Sequence, residues 1–308
     1  MGGLAAIGGL ALALVGAADG RLAATANGQT ICRIDGQRQA IVAFDTARPE
    51  ALRDLIGPAA PGAAEFVAVG CLPGDVVATV CRAGDDWSLR TYRSEPGRAV
   101  DAAEPLQEIP IGRASGSSEP VDLAVSHARG WLVVTGLPAP LPPVLRAVMA
   151  GVRVGPLSER GCPRPPVGWR PVAAAVGPLD ELALLLRPAE PGDGNGAGGD
   201  QLAYYDTAGR RLLWLPAGVR GTAGLEFGRG DGTLWAAAAD AEGNEGLWRL
   251  DAAHAAGGQV VRPVLVAAFD RPRDVVCPSS RQIFIASGEP LKPVASIDPA
   301  ATPSGAEP

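Results

Sequence analysis

Six times along the chain a tight turn is followed by a run of apolar residues, and this periodicity constrains the fold more than any other feature of the sequence. The runs begin at Arg21 (RLAAT), Asp75 (DVVAT), Trp131 (WLVVT), Glu181 (ELALL), Thr233 (TLWAA) and Gln282 (QIFIA), at intervals of 49 to 56 residues. One residue into each run stands Leu22, Val76, Leu132, Leu182, Leu234 or Ile283, and two further on Ala24, Ala78, Val134, Leu184, Ala236 or Ile285. The column between them (Ala23, Val77, Val133, Ala183, Trp235, Phe284) is apolar too. A strand that is apolar on both faces must be covered on both, as in the middle of a stack of sheets.

Upstream of each run lies a second apolar segment, with Val15, Val69, Val125, Val176, Phe227 and Val276 in corresponding places. The joins read ADG, LPGD, ARG, PLD, GDG and SSR, rich in the Gly and Asp that tolerate the left-handed backbone of hairpin turns. Downstream comes a third strand, ending in Asp in ICRID (31–35), LAYYD (202–206), LWRLD (247–251) and VASID (294–298). A fourth follows as QAIVAF, LQEIPI, VRVGPL, RLLWLP and VLVAAF. The pattern predicts an all-β domain over residues 1–298, built from six four-stranded antiparallel units of about 50 residues. The sixth unit lacks a fourth strand, which GLAAIG (3–8) can supply, closing the array with strands from both ends and removing its exposed edges. Residues 299–308 have nothing to pack and read as a disordered tail.

In layout, ALVGAADGRLAATANGQTICRID (13–35) and GLEFGRGDGTLWAAAADAEGNEGLWRLD (224–251) resemble the WD40/YVTN-type β-propeller superfamily. The resemblance spans about nine tenths of the chain in pattern, without the Gly-His and Trp-Asp dipeptides of WD40 repeats. It implies a six-bladed β-propeller, a rigid ring that displays loops to partners.

Composition narrows the function. Net charge is −6, with no basic cluster of the kind that neutralises phosphates, so neither nucleic acid nor an anionic membrane is the expected partner. Lys292 is the only lysine, which leaves little for amine chemistry. The five cysteines form no CxxC pair, and the expectation is no metal and no cofactor. Cys71 and Cys81 flank one hairpin and would be the pair to bridge in an oxidising compartment, although buried thiols are the favoured reading. The apolar stretch within residues 1–20 has no Lys or Arg before it, which favours a strand in a cytoplasmic protein; a signal peptide over residues 1–18 would make the chain secreted or periplasmic. No membrane span is expected, and a monomer is.

Catalytic constellations are sparse. His127 and His254 have no nucleophile elbow to serve. Lactonase-like propellers hold a divalent cation in the central channel, and Glu65, Asp122, Glu226 and Asp274 fall near the inner strands. These acids lie ten, nine, seven and eight residues before their turns, a spread of about 10 Å in depth that does not suit one calcium ion. In the loop 191–200, Asp193 and Asn195 have EF-hand spacing, but Ala197 and Tyr204 occupy later ligand positions. The RGD at 229–231 falls in a hairpin turn, where Gly and Asp serve the backbone. The six tryptophans read as packing residues between sheets, with Trp87 the exception because it follows Asp85 and Asp86 directly at a loop exit.

The reading is a non-catalytic binding or scaffolding protein, with a metal-dependent hydrolase as the alternative. Loops expected on one face (45–63, 82–87, 113–120, 136–143, 158–169, 187–200, 239–246) are longer than the turns opposite. They carry Asp85, Asp86, Trp87, Glu190, Asp193, Asp200, Asp240, Glu242 and Glu245, an acidic set that would steer a basic protein partner.

Overall fold

Alternating short strands and turns fold into a set of antiparallel sheets standing side by side. The structure, a computed structural model, describes residues 21–60, 64–94, 98–115, 120–189, 199–229, 231–255, 258–287 and 295–297. The first sheet contains β1 (Leu22–Ala24), β2 (Thr30–Asp35), β3 (Ala40–Asp45) and β4 (Arg48–Ile56). The second contains β5 (Glu65–Leu72), β6 (Val76–Ala83), β7 (Asp86–Arg93) and β8 (Gln107–Arg113). The third contains β9 (Asp122–Ser126), β10 (Trp131–Thr135), β11 (Val144–Ala150) and β12 (Arg153–Val154). The fourth runs through β13 (Trp169–Val176), β14 (Leu182–Pro188), β15 (Gln201–Tyr205) and β16 (Arg211–Pro216). The fifth runs through β17 (Arg220–Phe227), β18 (Leu234–Ala239), β19 (Glu245–Ala255) and β20 (Gly258–Ala268). A partial sixth sheet has β21 (Pro272–Ser279), β22 (Gln282–Ser287) and β23 (Ala295–Ile297).

Strand order within each sheet follows chain order, so neighbours in sequence pair throughout. The first strands make the ring: β1 lies against β5 and β21, β5 against β9, β9 against β13, β13 against β17, and β17 against β21. This is a β-propeller of four-stranded antiparallel blades, five of them complete, with a partial sixth sheet of three strands beside them. Asp75 (φ 57°) and Asp180 (φ 62°) sit at inner hairpin turns, where their short polar side chains make the left-handed backbone tolerable.

The apolar columns are buried as their two-faced character requires. Leu132, Val134, Leu184 and Ile285 on the second strands have no measurable exposure. Most tryptophans fill the same layers: Trp87, Trp131, Trp235 and Trp248 are each at most 5% exposed. Trp248 Nε1 donates to Ala238 O at 3.0 Å, so its one polar atom is satisfied as it is buried.

The first repeat is set in a different frame from the one its sequence suggests. RLAAT supplies β1, the innermost strand, rather than the second, and ICRID supplies β2 rather than the third. QAIVAF supplies β3, and the fourth strand is β4, within the segment expected to be the loop 45–63. The first and second strands of a blade are both covered on both faces, so their apolar columns are interchangeable in sequence. The first inner turn is consequently Thr25–Gln29, not the ADG at 18–20. The strand expected at Gly3–Gly8, the inner-strand place given to Val15, and the tail 299–308 lie outside the described residues.

Gly28 in that turn has φ +69°, and a Cβ there would collide with the Pro278 carbonyl of the sixth sheet. Gly28→Ala is therefore expected to cost about 2 kcal/mol or more, combining backbone strain with a clash against main chain. Gly84 is also left-handed (φ +61°) but has open space around it, so Gly84→Ala is expected to show the strain alone. Urea denaturation of the two variants checks the difference; equal losses would mean that the turn does not brace the sixth sheet.

Candidate functional site

The inner strands surround a central cavity of about 310 Å³. Its inner-strand carboxyls come from residues at which the apolar pattern of those strands is broken: Asp122 on β9, Glu226 on β17 and Asp274 on β21; Arg21, just before β1, is buried beside them.

Arg21 is only 4% exposed. Its Nη1 donates to Ala223 O of β17 at 2.5 Å and lies 3.8 Å from Asp122 Oδ1. One side chain from the first sheet therefore reaches the third and the fifth across the middle of the ring. Two of the acids are tied to backbone. Asp122 Oδ2 accepts from Ala174 N of β13 at 2.8 Å, and Asp274 Oδ2 accepts from Leu22 N of β1 at 2.8 Å. Gly224 makes room for the second of these, since a Cβ on it would collide with the Asp274 carboxylate.

Glu226 differs from both, because among the described residues its carboxyl has no hydrogen-bond partner. Burial pushes it up to about 8, against the opposing charge of Arg229, with Asp274 and Asp122 adding repulsion. Burial also lifts Asp274, to about 7, opposed by Arg21 and reinforced by Asp122. Among the described residues no three His, Cys, Asp or Glu side chains converge as metal ligands would. Glu65 is not among the residues lining the cavity and pairs with Arg82 at 2.6 Å.

The inner turns close one end of the cavity. Arg229, from the β17–β18 turn, donates to Ala26 O at 2.7 Å and Thr25 O at 2.9 Å in the β1–β2 turn. Its guanidinium thus braces two turns. His127 lines the same end, held down to about 4 by burial and by the charge of Arg229, so it is a neutral imidazole at pH 7. Ser126 donates to Asp180 across the third and fourth sheets, and Arg129 pairs with the same carboxylate at 2.6 Å.

At the loop face the acidic set divides. Asp85 and Glu242 are exposed, and exposed Asp86 lies 3.1 Å from Arg113. Asp240 caps its own loop by accepting from Asn244 N at 2.8 Å and Asn244 Nδ2 at 2.7 Å. Glu245 is exposed and accepts from Arg271 N of the next sheet at 2.6 Å. Asp200 is not on the surface: it is 3% exposed, pairs with Arg187 through both oxygens and accepts from Thr222 N at 3.1 Å. Trp87 is buried as well, its Nε1 donating to Ala114 O at 3.2 Å. Asp193 and Glu190 lie outside the described residues. Sequence reasoning passed over Arg21 and Arg229; the available signal for Arg21 was a cation heading a run otherwise apolar.

No protein-family model matches the chain, and no curated protein sequence matches it. Solved structures are similar in fold. Hydrazine synthase of Kuenenia stuttgartiensis aligns at a TM-score of 0.56 and 12% identity, over 92% of this chain and 77% of that one. A gluconolactonase from Xanthomonas campestris aligns at 0.51 and 13%, over 90% and 85%. KlAtg21, solved in complex with the coiled coil of AgAtg16, aligns at 0.50 and 10%, over 92% and 82%. At such identities the likeness shows the fold alone, the β-propeller that the strand pattern implies. Among the described residues no helix is long and apolar enough to cross a membrane.

The channel carboxyls make a pH dependence. Unfolded, Asp274 and Glu226 titrate near about 4. Folded, they hold their protons up to about 7 and about 8, so their contribution to stability is fully present below about pH 4, declines as pH rises from there, and is lost once pH has passed those folded values. His127 acts in the opposite direction, but only below about pH 6.5. Melting temperature is therefore expected to fall from about pH 4 to about pH 8, most steeply just above about pH 6.5 where His127 no longer offsets the acids, and Glu226→Gln to flatten the fall. Identical slopes in the two proteins would remove Glu226 as a cause.

Proposed function

We propose that this β-propeller is a non-catalytic binding or scaffolding protein whose loop face engages a protein partner of basic character. The observation that carries the reading is how the channel's ions are used. Arg21, Asp122 and Asp274 are spent on contacts between sheets, with both carboxylates on backbone amides. A channel so braced is a structural hub, and the groups left facing outward are Asp85, Asp86 and Glu242 on the loops. The fold likeness to KlAtg21, solved with a coiled coil, is compatible with this use. We further read the partial sheet as the sixth blade of a six-bladed ring whose fourth strand comes from residues 3–8; a truncation lacking residues 1–18 tests this through its melting temperature.

One observation favours a second reading, a metal-dependent hydrolase of the kind the gluconolactonase likeness suggests. Glu226 faces the cavity with a carboxyl that no protein group among the described residues satisfies. On the binding reading, added calcium or magnesium leaves the melting temperature unchanged. On the hydrolase reading it rises by several degrees, because a bound ion stabilises by about 2.7 kcal/mol at a hundred times its dissociation constant.

Charge reversal tests the surface. Asp85→Lys with Asp86→Lys, and separately Asp240→Lys with Glu242→Lys, are expected to weaken capture of a partner recovered with the wild-type chain at least tenfold. Glu104→Lys, on the exposed loop of the opposite face, is expected to leave capture unchanged. Asp180 is no control for that face, since it is 5% exposed and paired with Ser126 and Arg129. Equal losses from both faces would leave the loop face without support.

A further inference from the structure

The cysteines pair differently from what their hairpin suggests. Cys81 Sγ lies 3.1 Å from Thr79 Oγ1 on its own strand, whereas Cys71 Sγ lies 3.4 Å from Cys32 Sγ. Cys32 is on β2 of the first sheet and Cys71 on β5 of the second, so the two sulfurs meet across a seam of the ring. Both are at most 2% exposed. No other pair of sulfurs is in contact among the described residues.

Burial alone would leave the pair inert, but two cavities reach it. Cys32 and Cys71 both line a space of about 220 Å³ between the two sheets, bounded also by Thr25, Arg53 and Asp75. Cys71 also lines the central cavity. Spaces of about 220 and 310 Å³ are large enough to hold a peroxide molecule. A disulfide needs the sulfurs about 1.3 Å closer than they stand, a movement within reach of side-chain rotation.

We propose that Cys32 and Cys71 are a modification site, a dithiol that a peroxide converts to a disulfide stapling the first sheet to the second. Cys71 as thiolate attacks one peroxide oxygen; the O–O bond breaks, hydroxide leaves, and Cys71 becomes a sulfenic acid. Cys32, losing its proton, then attacks the Cys71 sulfur; the S–S bond forms, the S–O bond breaks, and hydroxide takes the proton to leave as water. In sum two thiols and hydrogen peroxide give one disulfide and two waters, with two electrons passing from sulfur to oxygen. Cys71 also stands within 3.5 Å of Ala23 O on β1, so the bond joins the two strands at the point where the innermost strand of the first sheet passes between them.

The hydrogen bond shared with Cys32, followed by burial, raises the Cys71 thiol well above its ordinary value. Thiolate is therefore scarce at neutral pH, and the reaction is expected to run at least several-fold faster at pH 8.5 than at pH 7. The bond closes a span of 39 residues, and by the loop-entropy relation it is expected to raise the melting temperature by about 5–10 °C.

The test uses the full chain, treated with hydrogen peroxide under native conditions, alkylated and digested with trypsin. The expected product links peptide 22–33 to peptide 54–82, is lost in Cys32→Ala, and returns to free thiols with dithiothreitol along with the original melting temperature. Peptide 54–82 also contains Cys81, so fragmentation of the linked peptide, or the same linkage in Cys81→Ala, must place the bond on Cys71. Recovery of both residues as alkylated thiols or as separate sulfinic acids would overturn the proposal. So would a bond from Cys71 to Cys81, or one that forms only in urea.

Discussion

A sheet can stack on its neighbour through apolar contact alone, but apolar contact has no direction, and a ring of sheets needs each one held in register. Here every seam carries a side chain hydrogen-bonded to the backbone of the next sheet. Gln39 Oε1 accepts from Phe66 N between the first and second, and Gln107 exchanges two bonds with Val154 between the second and third. Asp122, Asp200, Glu245 and Asp274 serve the remaining four, accepting from Ala174, Thr222, Arg271 and Leu22. Innermost strands present backbone N–H groups that have no ladder partner on the channel side, and leaving such groups buried and unpaired costs about 1–3 kcal/mol each. At four seams the donor, Phe66, Ala174, Thr222 or Leu22, lies on an innermost strand and an oxygen from the preceding sheet satisfies it. Val154, by contrast, is on the outermost strand β12, and Arg271 stands just before β21.

That arrangement places negative charge inside the ring, and Arg21 is the counterweight. Its guanidinium bonds to Ala223 and lies beside Asp122, while its charge opposes the rise in Asp274. Removing one partner of a buried ion pair leaves the other uncompensated, so the channel charges stand or fall together. Arg21, Asp122 and Asp274 are thereby engaged in contacts between sheets, whereas burial pushes the Glu226 carboxyl up to about 8. On the loop face Asp85 and Glu242 stand exposed while Asp200 and Glu245 double as seam acceptors.

The sequence by itself determined the architecture: the recurring apolar runs at Asp75, Trp131, Glu181, Thr233 and Gln282 all became second strands, because a strand covered on both faces must be apolar at every position. It determined the inner turns of the later repeats as well, as at Asp75 and Asp180, where a left-handed backbone suits the short polar side chain, but not that of the first. What only the tertiary structure decided was everything that depends on partners distant in sequence. The frame of the first repeat turned on which strand met β21, and Asp200, a loop acid by its flanking sequence, was drawn inside by Arg187 and Thr222. Cys71 found Cys32 rather than Cys81, its neighbour in the same hairpin, because the seam between two sheets brings together residues 39 apart in the chain. Periodicity reports how a strand is covered, whereas a side chain's role is set by which strand covers it, and that choice is made only when the ring closes.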